Sequence, residues 1–186
     1  PVLDHAAAAW HAAQVRLEGE FDAFLARFVY AGEADHVRGH LAAGVVAAVF
    51  AMLVDAAEAE ARHLLGLIRR EQLAVQSILL THAHVDHVTG VGRAKDALGV
   101  PVYLHRDDQV LYDAAPRQAA FFGLHCDVLP PVDHYYDLSK TLTFGEYDIS
   151  VHHTPGHCPG GVCLAVGRRG GPRSDLFVGD TLFAGS

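Results

Sequence analysis

Six consecutive residues, His82-Ala83-His84-Val85-Asp86-His87, put three imidazoles and one carboxylate into a single short segment. Neutral imidazole and carboxylate are ligands that zinc and iron accept. A loop of this kind can therefore converge on one or two metal ions. A second segment, His153-Thr154-Pro155-Gly156-His157, and a third, Gly179-Asp180, each follow a run that reads as a strand. Taken singly, His157 or Asp180 is an ordinary turn residue more often than a ligand, and the histidines of the first loop could simply be solvated. Three ligand-bearing turns in order, each just past a strand, are harder to dismiss, because α/β sheets place their sites there.

The elements that must carry these turns are visible in the hydrophobic pattern. Val75 to Leu80 is a short apolar run that predicts a buried strand leading into the His-rich loop. Gly90 to Leu98 suits a helix start and body, and Val100 to His105 a strand. Asp107 to Gly123 reads as a second helical stretch, interrupted near Pro116. Leu142 to Phe144 and Tyr147 to His152 flank Gly145-Glu146, which is a hairpin signal. Val162 to Val166 and Leu176 to Val178 flank another turn. Upstream, Val45 to Asp55 predicts a strand ending at Asp55. Ala56 to Glu71 then predicts a helix whose acidic start and Arg69-Arg70 end match the helix dipole. Residues 1–31 are alanine-rich, with Trp10, Leu17, Phe21, Phe24 and Phe28 near helical spacing.

Composition narrows the function classes. The chain has 186 residues, 51% hydrophobic and 19% charged, which excludes a disordered chain and suits a single domain. A net charge of −8 argues against nucleic acid and against a cationic membrane-surface protein. The longest apolar run, Leu41 to Val54, falls short of the roughly 20 residues a membrane span needs. Three cysteines, Cys126, Cys158 and Cys163, cannot form a closed set of pairs, which favours a reducing, cytoplasmic setting. Histidine stands out: there are 14, as many as Lys and Arg together.

THAHVDH, then HTPGHCPGG, then VGDTLFAGS, with VPVYLHRDD between the first two, resemble the metal motifs of the metallo-β-lactamase-fold hydrolases. The branch they look most like is the glyoxalase II-like, or hydroxyacylglutathione hydrolase-like, proteins. The resemblance implies an αββα sandwich with a metal centre at one sheet edge, built on a single domain over residues 1–186. Residues 1–40 would be a divergent N-terminal segment and 41–186 the motif-bearing part. Carried over residue by residue, His82, His84 and His157 would hold one metal, Asp86 and His87 a second, and Asp180 would bridge them. Asp55 would support the site from the end of its strand, and His153 would hold a ligand in place. Ala56-Ala57 departs from the Gly or Pro-Gly usual in the family. The family also has one more ligating histidine beyond the GDTLFAGS strand, so the chain reads as a piece of something longer, incomplete at its C-terminal side.

The chemistry implied is hydrolysis of a thioester or ester by a metal-activated hydroxide, with one or two zinc ions per chain and Asp86 as the catalytic carboxylate. The substrate would be a small molecule, such as a glutathione thioester. One alternative is a persulfide dioxygenase-like enzyme with mononuclear iron on His82, His157 and Asp180. Another is a truncated, non-catalytic domain that binds metal and turns nothing over. The sequence leaves the oligomeric state open, including a homodimer that covers a sheet edge. Other residues take plainer roles: Cys158 and Cys163 as packing, His105 as either support for the site or surface, and Arg168, Arg169 and Arg173 as water-facing.

Overall fold

A computed structural model describes residues 50–54, 65–66, 68–70, 73–126, 128–145, 147–173 and 175–182. The helical pattern of residues 1–31, Asp55 and most of the helix expected after it lie outside the described residues.

Two four-stranded sheets carry the structure. In the first, β1 (Phe50–Val54), β2 (Ala74–Leu79), β3 (Val102–Leu104) and β4 (His134–Tyr135) lie side by side in chain order, all parallel. Parallel neighbours need long crossovers. Helices α1 (Val85–Val88) and α2 (Val91–Leu98) supply the one between β2 and β3, and α3 (Gln109–Phe121) the one between β3 and β4. The second sheet, β5 (Leu142–Phe144), β6 (Tyr147–His153), β7 (Val162–Arg168) and β8 (Asp175–Phe177), is an antiparallel meander. Tight turns suffice there, and the antiparallel pairing of β5 with β6 is found as expected.

Burial explains why each strand has its sequence. In β6, Ile149 and Val151 are buried while Ser150 and His152 are not, the period of two expected of a half-buried strand. In β7 every residue from Val162 to Gly167 is buried, so the strand reads as one apolar run. Ile78, Leu79, Leu80, Val102 and Leu104 form the matching core of the first sheet. The backbone N–H of Val162, at the start of β7, donates to the Thr81 carbonyl at 2.9 Å, so the two sheets meet where the His-rich loop leaves β2. The αββα expectation is met by this mixed two-sheet arrangement.

Three details differ from the sequence reading. Helix α3 continues straight through Pro116. Proline removes one hydrogen bond there, but the buried face of Tyr112, Ala115 and Ala119 runs across it, and tertiary burial carries most of a helix's stability. Strand β6 extends one residue further, to His153. Arg169 and Arg173 do not simply face water, because both reach back to Asp148, at 3.4 and 3.9 Å. Among the described residues, no helix is long and apolar enough to cross a membrane.

Candidate metal centre

Strand β2 ends at Leu79, and the chain then runs through four buried residues, Leu80 to Ala83, before α1 begins. This burial fixes the first histidine. His82 is 2% exposed, and its Nδ1 lies 3.1 Å from the Thr81 hydroxyl. Around it gather His84, His87 and His157, with ring centroids 4.8, 4.0 and 5.1 Å from that of His82.

The donor atoms fall into two groups that share His82. Those of His82, His84 and His157 lie within 4.8 Å of one another, and so do those of His82, His87 and Asp180. His84 Nδ1 and His157 Nε2 are 2.7 Å apart. The two oxygens of Asp180 face different histidines, Oδ1 at 3.2 Å from His87 Nε2 and Oδ2 at 3.4 Å from His157 Nε2. Ligand atoms about 2.0–2.1 Å from a tetrahedral zinc lie roughly 3.3 Å from each other. The donor set and its spacing therefore fit one or two divalent ions. Burial, and then the neighbouring His157, hold the His84 imidazole below its ordinary pKa. The neutral ring is the form that ligates.

Asp86 is not gathered into either group. It lies in the first turn of α1, where Val85 and Val88 take the buried side, and its side chain is 58% exposed, 3.8 Å from His87 Nε2. Asp180 lies in a single 3₁₀ turn, Gly179–Thr181, directly after β8. The turn needs glycine at 179. Its φ is +49°, and a Cβ there would come within 2.5 Å of the Thr81 hydroxyl.

A residue that the sequence reading did not single out ties the site together. Asp108, wholly buried, accepts from the Ala83 N–H at 2.9 Å, the Gly160 N–H at 2.6 Å and the Cys158 thiol at 3.3 Å. One carboxylate thus holds both the loop of His82 and His84 and the loop of His157. Its surroundings push the Cys158 thiol up to about 12, burial first and the Asp108 charge next, so Cys158 stays protonated and packs. Cys163 is also buried, and none of the three cysteines is in a disulfide. No spacing could have marked Asp108, since Asp107 and Asp113 stand nearby with the same chemistry.

His153 also touches the His157 loop. Its Nε2 is 2.8 Å from the Pro159 carbonyl, and its ring stacks on His105 at 4.1 Å with 13° between the planes. His105 is therefore a buried partner of that loop and not a surface residue. Desolvation, and then His153, lower its pKa.

Residues 50–186 match the metallo-beta-lactamase superfamily, and the chain belongs to it. Among curated relatives it is 31% identical over 128 residues to the hydroxyacylglutathione hydrolase GloC of Haemophilus influenzae, covering 68% of this chain and 58% of that one. Among solved structures it is similar to the BLEG-1 B3 metallo-beta-lactamase, at 36% identity and a TM-score of 0.61, covering 72% of this chain and 63% of that one. It is equally similar to TTHA1623 in a di-iron-bound form, at 37% identity and a TM-score of 0.60, with coverage of 72% and 63%. The chain spans between 58% and 62% of the length of the curated relatives GloC and ML0493 of Mycobacterium leprae.

Proposed function

We propose that this chain carries the metal centre of a glyoxalase II-like hydrolase that cleaves a thioester or ester of a small molecule, with zinc as its metal. The observation that carries the reading is the pair of donor groups sharing His82, with the two oxygens of Asp180 turned to His87 and His157. When bound, a divalent metal lowers the pKa of its water to about 7 and polarises the carbonyl it meets. His82, His84 and His157 would hold one ion. Asp86 and His87 would hold the other, with Asp180, whose two oxygens face His87 and His157, shared between them.

The protein's own contribution is positioning. Asp108 and His153 fix the two ligand loops against each other, so the donors need not reorganise on binding. Asp86, exposed beside His87, would be the metal-held carboxylate on the open side of the site. Asp55, the residue after β1 in the sequence, would support the site without binding metal. The hydroxyacylglutathione hydrolase relative supports a glutathione thioester as substrate, and three cysteines, a number that cannot close into pairs, support a cytoplasmic setting.

The test is metal content by elemental analysis, with hydrolysis of a set of glutathione thioesters of polar and apolar acyl groups followed in parallel, on wild type and His82→Ala. One or two zinc ions per chain and measurable turnover are expected. Both should be lost in the variant, by more than the roughly 10–100-fold that a supporting residue costs. Metal binding without hydrolysis of any thioester would overturn the enzymatic reading. Iron, with oxygen uptake on glutathione persulfide, would replace it with the dioxygenase.

A further inference from the structure

Helix α3 presents one stripe of side chains beside the His-rich loop. Leu111, Ala114 and Phe121 recur along it at helical spacing, and Phe122 extends the stripe past the helix end. Together they wall a cleft of about 940 Å³ that reaches His84 and Asp86. Phe121 is 84% exposed and Phe122 65%. Two aromatic rings left in water beside a polar motif mark a surface that a ligand covers.

The cleft also holds one cation. Arg117 lies on the same stripe, is exposed, and forms no ion pair among the described residues. In a chain of net charge −8, an uncommitted guanidinium is a local exception that an anion would find. Its planar fork suits a carboxylate, which it can meet through two parallel hydrogen bonds.

We propose that the cleft receives the acyl arm of the substrate, an apolar chain bearing a carboxylate that pairs with Arg117. This rests on the hydrolase reading, because the cleft opens at His84 and Asp86, where the scissile carbonyl would lie. A purely polar acyl group would leave the Phe121–Phe122 wall facing water. A neutral chain would leave Arg117 unpaired. An amphipathic anion satisfies both.

The test is direct binding, so it does not depend on turnover. The full chain, as purified and again after chelation, is titrated with octanoate, octanol and acetate by calorimetry. Octanoate should bind about tenfold more tightly than octanol, the scale of a hydrogen-bonded charge pair. Arg117→Ala should erase that difference and leave octanol unchanged, with Arg117→Lys intermediate. Phe121→Ala should weaken octanoate and octanol alike. The proposal is overturned if octanoate binds no better than acetate or if Arg117→Ala binds octanoate like wild type. It is equally overturned if binding vanishes on chelation, since the carboxylate would then have been on the metal. Failure of thioester hydrolysis would sink the proposed reaction and leave these affinities in place.

Discussion

The Asp108 carboxylate and the backbone of Gly160 are packed so closely that no side chain fits between them. The Gly160 N–H donates to Oδ1 at 2.6 Å, and a Cβ at position 160 would lie 2.6 Å from the Asp108 amide nitrogen. Gly160 stands three residues past His157, and the other oxygen of Asp108 binds the N–H between His82 and His84. One buried carboxylate therefore ties the two ligand loops together, close to the Val162–Thr81 hydrogen bond that joins the sheets.

Gly160→Ala should destabilise the protein by about 1–3 kcal/mol, the usual cost of overpacking a closed site. It should also weaken metal binding, because His157 moves with its loop. Gly92→Ala is the comparison. Its Cβ would meet nothing nearer than 3.5 Å, and it lies within α2, so it should be neutral or stabilising by up to about 1 kcal/mol. Urea unfolding of the two variants distinguishes a close-approach glycine from a replaceable one.

Asp108→Ala should cost more, about 2–5 kcal/mol, since the N–H groups of Ala83 and Gly160 would be left without their acceptor in a dry site. Asp108→Asn keeps one acceptor oxygen and should lose less. If both variants unfold at the same urea concentration as wild type, the carboxylate does not hold the loops.

Because Asp180 turns one oxygen to His87 and the other to His157, its loss should differ in kind from the loss of a single histidine. His84→Ala and His87→Ala should each abolish one zinc-binding step in a calorimetric titration, whereas Asp180→Ala should weaken both. Chelation of the wild type should lower its melting temperature, since ligand at 100 times its Kd contributes about 2.7 kcal/mol. A melting temperature indifferent to zinc and chelator would contradict a folded-state metal site.

Asp133 sets a pH dependence far from the metal. It pairs with Lys95 and accepts the Val102 N–H at 2.8 Å, and the Lys95 hydrogen bond is the main cause that holds its pKa below the usual carboxylate value. A carboxylate with a depressed folded pKa contributes stability above its unfolded pKa, about 3.9, and loses it as pH falls through the folded value. Wild type should therefore lose stability more steeply than Asp133→Asn between about pH 5 and pH 3. Parallel pH–stability curves for the two proteins would show that the pair contributes nothing.

The order of the three ligand-bearing turns was readable because each has a local signature: a strand pattern of period two or an apolar run, followed by histidine or aspartate. The same logic located β2, the β5–β6 hairpin and β7. It misjudged Pro116, where a local breaker is outweighed by the buried face of α3, and it missed Asp108. That residue resembles Asp107 in every property a sequence displays. One is wholly buried between two loops and the other is exposed, and only the tertiary packing that sets Asp108 against Ala83 and Gly160 separates them. Likewise His84 and His157 are 73 residues apart yet their Nδ1 and Nε2 atoms lie 2.7 Å from each other. Which residues are able to bind metal is a matter of side-chain chemistry and is written along the chain. Which of them meet, and what braces them, depends on how the sheets join at Thr81 and Val162, because periodicity is local while a site is assembled across the core.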